Sequence, residues 1–260
     1  MNPSTQRIAD SFDHGAANYE TFGFLQKKAA QEFEGLLPTW LKTLPEGPRL
    51  ELGCGTGQVT AQVAHLLPES PFLVTDLSPE MLKQAKQNLQ GFDGLTFDLQ
   101  DGNQPLPPNH YSLIISALAV QWLQSPVQAI RSYGLALKPK GKLILSFLGS
   151  GSFPQWRAAA QALDLPYTAN PLPLGSEVKS ALEALPGTLE FKESTLDVPF
   201  PRAIDFFENF KTIGAQTSLS QSQLTGSQMR RLIRHLDKQH PQGLMVSHQV
   251  FYLCYEAPGV

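Results

Sequence analysis

The chain has 260 residues, 42% hydrophobic and 17% charged, enough to bury one sizeable core and near the upper size for a single domain. Its 20 Lys and Arg against 23 Asp and Glu leave a net charge of −3 without a dominant basic cluster, which argues against nucleic acid as a partner. Cys54 and Cys254 lie far apart, so neither a disulfide framework nor a metal site is expected; without a targeting segment or an apolar run of roughly 18 residues, the chain reads as a soluble cytoplasmic protein that does not enter a membrane.

In chain order, 1–40 is expected to form an N-terminal helical cap. Apolar runs suited to strands follow at 49–52, 71–75, 95–99, 111–116 and 142–147, separated by amphipathic stretches at 58–67, 79–89 and 126–137. Strands alternating with helices imply right-handed crossovers, so the fold class is a doubly wound, mostly parallel, Rossmann-like α/β sheet. Beyond 147 a Gly- and Pro-rich stretch, 149–175, surrounds a helix at 154–163. Ser176 is placed as the N-cap of a helix running to about Leu185. Strands at 189–198 and 249–255 complete seven, the last of them free of charge and therefore buried near the sheet edge. The intervening 199–248 is too long for a hairpin loop, contains helix candidates at 203–213 and 227–236, and reads as a helical lid inserted into one domain, 1–260.

The strand ends carry the chemistry. Glu51-Leu52-Gly53-Cys54-Gly55-Thr56-Gly57 leaves a strand and opens a helix, where bare backbone can approach a ligand closely. This spacing departs from the dinucleotide fingerprint and resembles motif I of class I methyltransferases. Asp76 follows about 20 residues on, placed to accept two ribose hydroxyls; that role serves NAD and S-adenosylmethionine equally, so Asp76 alone does not choose between them. Leu77 and Met81 follow, with Ser78 and Pro79 starting a helix and Met81 facing the adenine. Asp101, before Gly102 and Asn103, reads either as an acceptor for the adenine amine or as a turn-forming Asp. Ser116 ends the fourth strand at the same edge.

Four stretches together resemble the malonyl-[acyl-carrier protein] O-methyltransferases of biotin synthesis. They are Phe12-Asp13-His14-Gly15-Ala16-Ala17-Asn18-Tyr19-Glu20 with Leu25-Gln26; the glycine loop with Asp76-Leu77-Ser78-Pro79-Glu80-Met81-Leu82; Leu118-Ala119-Val120-Gln121-Trp122; and Phe210-Lys211-Thr212-Ile213-Gly214-Ala215 with Leu224-Thr225 and Gln228. Motif I begins with Glu51 where Asp is also common, and the charged positions of the insertion match loosely. The resemblance implies methyl transfer from S-adenosylmethionine to the free carboxylate of a malonyl thioester on acyl carrier protein, with S-adenosylhomocysteine as product and no metal. A carboxylate is already ionised at neutral pH, so no strong base is expected, and the six scattered histidines read as surface or core residues. Tyr19 and Trp122 would shape the acceptor pocket, and Lys211, ahead of Arg202, would hold the carboxylate. Trp122 also reads as a core aromatic, and Lys211 as a solvated helix lysine. Lys211, Arg230, Arg231, Arg234 and Lys238 would offer an acidic carrier protein a cationic face. Other acceptors, a different small acid or a quinone-type phenol, share every donor-side residue. A non-catalytic donor-binding subunit and, more remotely, an NAD module stand as readings from other classes. Nothing in the sequence sets an oligomeric state.

Overall fold

Leu50, Leu113, Ile114, Ile115, Leu143 and Ile144 are all fully buried, as strands covered on both faces require. A computed structural model describing residues 3–68, 71–219 and 222–259 places them at the centre of a seven-stranded sheet. The strands are β1 (Arg49–Leu52), β2 (Phe72–Asp76), β3 (Leu95–Leu99), β4 (Tyr111–Ala117), β5 (Leu137–Leu148), β6 (Thr188–Phe200) and β7 (Leu244–Glu256), in the order β3-β2-β1-β4-β5-β7-β6. The first five run parallel, and β7 is antiparallel to both β5 and β6.

Period-two alternation divides the core. Leu113, Ile115 and Ile144 face a layer built from α2 (Phe24–Trp40), α3 (Gln58–Leu66) and α4 (Pro79–Asn88), which contribute Phe33, Leu37, Val63 and Ala85. Ile114, Leu143 and Leu145 face α5 (Pro126–Leu135) and α7 (Gly175–Glu183) through Ile130, Tyr133, Val178 and Leu182. A third cluster lies where β6 and β7 outrun the sheet. There α6 (Pro154–Ala162), α8 (Ala203–Thr212) and α9 (Gly226–Gln239) pack Trp156, Phe206, Leu232 and Leu236 against Val198, Phe200 and Val246. No helix among the described residues is long and apolar enough to cross a membrane.

Several expected boundaries move. β7 begins at Leu244 and pairs with β6 over its whole length, so the excursion between them spans 201–243, with 220 and 221 outside the described residues. Its alternation, Leu244, Val246 and His248 buried, continues the strand backwards, a signal masked in the sequence by the polar Ser247 and His248. β5 starts at Leu137, five residues ahead of the apolar run, across a register shift against β4. Ser176 lies inside α7, whose N-cap is Leu174, because Gly175 sets the first turn directly on the Phe251 ring, where any Cβ would overlap it.

Of the 1–40 segment, whose first two residues lie outside those described, α2 joins the central core. The other helix, α1 (Pro3–Phe22), crosses α4 and α8 instead. Its contact with the excursion is backbone on backbone: a Cβ at Gly15 would overlap the Ile213 carbonyl carbon and the Gly214 amide, and one at Gly214 (φ 77°) would overlap the Ser11 carbonyl oxygen. Gly15→Ala is therefore expected to destabilise the protein by roughly 1–3 kcal/mol despite its better helix propensity, since backbone cannot move aside as a side chain can. Urea denaturation measures this, and a stabilised variant would show that the contact is loose.

Candidate functional site

The strand order reverses between β1 and β4, and the segments leaving β1 to β4 converge on one crevice at their carboxyl ends. Gly53, Gly55 and Gly57 there have φ of 71°, 55° and 90°, a region closed to most side chains. Gly55 N–H donates to Asp76 Oδ2 at 2.8 Å and Ser78 N–H to Asp76 Oδ1 at 2.8 Å, so one carboxylate links the glycine loop to the start of α4. Asp76 is buried, and burial pushes its carboxyl up to about 6, against the lowering effect of the backbone donors of Ser78, Gly55 and Leu77. Ser78 caps α4 by accepting from Met81 N–H at 3.1 Å, and its hydroxyl in turn bonds Asp13 of α1.

Gly53, Gly55, Asp76, Leu77, Met81, Asp101, Gly102 and Ser116 line one cavity of about 100 Å³, bordered also by Tyr19 and Trp122. Asp101 has the turn-forming character expected of it, with Oδ1 taking both Asn103 donors at 2.9 and 2.7 Å, and it also lines the cavity. Ser116 spends its hydroxyl on the Leu52 carbonyl at 2.6 Å, stitching β4 to β1. Two expected donor residues are not part of this lining. Glu51, bonded by the Thr60 hydroxyl at 2.6 Å and pushed up to about 7 by burial, instead lines an adjoining cavity of about 50 Å³ shared with Tyr19, Gly53 and Gly55. Gly57 faces α4, where a Cβ would sit 2.8 Å from Leu89 Cδ1. Acidic acceptors among apolar walls, with no Lys or Arg in the lining among the described residues, fit a nucleoside with free hydroxyls and an amine better than a pyrophosphate.

One wall was read from the sequence only at Tyr19, within the expected helical cap. Thr5, Ile8, Phe12 and Tyr19 of α1 close the cavity over the sheet, and Phe12 meets Trp122 edge-on with ring centroids 5.3 Å apart. Ile8, Phe12 and Tyr19 recur at separations of four and seven, a helical stripe that was available as a signal. Burial, with Asp76 and Cys54 nearby, pushes the Tyr19 phenol well above its ordinary value, so it keeps its proton.

Tyr19 and Trp122 also border a neck of about 60 Å³ with Gln121, Phe153, Phe210 and His248. Gln121, Trp122, Phe153 and Phe210 are shared in turn with an apolar cavity of about 310 Å³ between α6, α8 and α9. His248 is held neutral, pushed down to about 4 by burial, with Nδ1 3.1 Å from the Leu196 carbonyl oxygen. Lys211 lines the large cavity from an exposed position and is in none of the ion pairs among the described residues. Arg202 borders none of these cavities; its guanidinium is bonded to Asp205 at 2.7 and 3.2 Å.

The family model for the methyltransferase domain matches residues 50–143, which span the glycine loop, Asp76, Asp101 and Ser116. The malonyl-[acyl-carrier protein] O-methyltransferase of Enterobacter lignolyticus is 30% identical over 237 residues, covering 91% of this chain and 90% of that protein. The biotin biosynthesis bifunctional protein BioCD of Bordetella avium is 30% identical over 254 residues, covering 96% of this chain and 52% of that protein, so the chain spans about half the length of this bifunctional relative. The crystal structure of the YcgJ protein from Bacillus subtilis superposes with a TM-score of 0.63 at 15% identity, covering 88% of this chain and 100% of that one; it establishes likeness of fold.

Asp76 is raised above its unfolded value of 3.8, so the ligand-free fold loses stability as pH rises from there to about 6, and this contribution is constant at higher pH. The role expected of Asp76, accepting ribose hydroxyls, needs the ionised form, so donor affinity should run the other way. The dissociation constant for S-adenosylhomocysteine should rise about fourfold from pH 7.5 to 5.5, the fall in ionised fraction for a group titrating near 6. Asp76→Asn should bind more weakly and lose that component of the pH dependence. Calorimetry measures both, and equal pH dependence in the two proteins would detach the ribose from Asp76.

Proposed function

The chain belongs to the malonyl-[acyl-carrier protein] O-methyltransferase family, and from this premise we propose that it transfers a methyl group from S-adenosylmethionine to the free carboxylate of a malonyl thioester on acyl carrier protein. The product would be the methyl ester that starts pimeloyl and biotin synthesis, made in the cytoplasm. The observation that carries this reading is the run of cavities from Asp76 through the Tyr19–Trp122 neck into the apolar space between α6, α8 and α9. Donor and acceptor can thus meet end to end.

A bound donor supplies a methyl carbon on a positively charged sulfur; a carboxylate oxygen forms the new bond while the carbon–sulfur electron pair leaves to sulfur. The protein's task is orientation and exclusion of water. Gly53 and Gly55 let backbone close on the donor, and Asp76 and Asp101 accept its ribose hydroxyls and adenine amine. Tyr19 and Trp122, bordering both the donor cavity and the neck, set the line of approach, with the Tyr19 hydroxyl a neutral donor beside the reacting oxygen. No base is required, in keeping with a neck whose one imidazole, His248, is a weak base packed edge-on against Phe153.

Lys211 supplies the cation that draws the anionic substrate to the mouth of the large cavity. Because it is exposed, its ion pair is screened and contributes about 0.2–1 kcal/mol, less than a buried pair would. Helix α9 lines the same cavity with Met229 and Ile233, while Arg230, Arg231, Arg234 and Lys238 are exposed. This face suits an acidic carrier protein delivering its acyl arm between α8 and α9.

The deciding experiment is methyl transfer to malonyl-acyl carrier protein, with ester formation followed by mass spectrometry; no ester under donor saturation would refute the reading. Lys211→Met is expected to raise KM a few-fold, within the range for an exposed pair, and to leave the affinity for S-adenosylhomocysteine unchanged. Reversing Arg230 and Arg234 to Glu together should raise KM for the carrier-bound substrate and flatten its dependence on salt. A KM indifferent to salt in the parental protein would remove the carrier from this face.

A further inference from the structure

Two side chains lining the large cavity carry a buried polar atom without a hydrogen-bond partner among the described residues, Gln121 at its Oε1 acceptor and Trp156 at its indole N–H, and the indole is the donor that methyl transfer as described leaves unused. Trp156 is 8% exposed. A buried indole N–H is ordinarily bonded, so its position in a cavity wall calls for an acceptor from a ligand. The ring is held by edge-on contacts with Phe207, centroids 5.0 Å apart, and Tyr167, 5.4 Å apart, against which Arg157 also stacks. Trp156 borders the large cavity but neither the donor cavity nor the neck. It stands one ring beyond the neck, with centroids 6.2 Å from Phe153 and 6.5 Å from Phe210, both of which border it.

That placement selects the acceptor. In a malonyl thioester the reacting carboxylate lies toward the donor, and the thioester carbonyl follows one methylene later, on the cavity side of the neck. The rings nearest Trp156 that border the cavity are those of Phe207, Phe153 and Phe210, with centroids 5.0, 6.2 and 6.5 Å away. A neutral donor satisfies a carbonyl oxygen without adding charge, whereas the cation of this cavity, Lys211, stands at an exposed position and suits a carboxylate at the mouth. Resting on the acceptor assignment made above, we propose that Trp156 Nε1–H donates to the thioester carbonyl of the substrate, which makes it the residue that selects an acyl thioester over a free dicarboxylate.

The test compares two carrier-bound substrates in two proteins. One is malonyl-acyl carrier protein; the other bears the S-(2-carboxyethyl) thioether, in which a methylene replaces the carbonyl and the carboxylate is retained. Trp156→Phe keeps a ring of similar shape and deletes the donor. The ratio of kcat/KM for thioester over thioether should fall about tenfold in Trp156→Phe relative to the parental protein, the size of one lost hydrogen bond. The affinity for S-adenosylhomocysteine should be unchanged. Because the readout is a ratio within each protein, loss of folded material cancels. An unchanged ratio overturns the assignment of Trp156 while leaving the methyltransferase reading intact. Failure of the parental protein to methylate the malonyl thioester overturns both.

Discussion

One buried carboxylate organises the site. Asp76 receives the amide of Gly55 from the loop after β1 and that of Ser78 from the start of α4, so two adjacent crossovers of the sheet are fixed to a single side chain. Burial opposes its charge, and the backbone donors offset only part of that penalty, which is why its ionisation moves up toward 6 rather than down. Such a group is a costly way to hold two loops if structure were its sole purpose. It is better suited to holding them while remaining able to accept from a ligand, and the cavity lies beside it.

The rest of the site is assembled on that anchor from three layers. The sheet supplies the glycine loop, Asp101 and Ser116; α1 supplies the cover, tied back to the anchor through Asp13 and Ser78. The excursion supplies the far cavity, which has its own apolar cluster because β6 and β7 run past the neighbouring strands and leave Val198, Phe200, Leu244 and Val246 to be covered. Trp122, on a 3-10 turn after β4, borders the donor cavity, the neck and the far cavity, so the sheet itself sets the distance between donor and acceptor sides.

The parallel half of the fold was legible because its strands are short apolar runs punctuated by Gly, Asp and Ser, and the helix after Asp76 carries Ser78 and Pro79 where a cap and a first turn need them. That Gly53, Gly55, Asp76, Asp101 and Gly102 would line one cavity was legible for the same reason: strand ends in a doubly wound sheet face one crevice. Gly57 was harder, since a loop motif names residues without saying which side of the loop each one faces. The long antiparallel pair was under-read because β6 is largely exposed, carries charge, and breaks its alternation at Lys192 and Glu193, both exposed. That Trp156 and Gln121 line one cavity was invisible in the sequence, for nothing local to either says that α6 and the turn after β4 will meet there. Arg202 had the right charge in the right segment, but Asp205, three residues on, occupies its guanidinium.

Gly15 and Gly214 meet main chain to main chain, 199 positions apart. Neither position can accept a larger residue unless the helix or the turn opposite withdraws, and such a withdrawal would open the cover over the donor cavity. The two glycines are thus a single unit of sequence variation. The excursion is correspondingly not a portable module: grafted onto another doubly wound scaffold to change its acceptor, it would arrive without the surface it was shaped against, unless the first helix travelled with it.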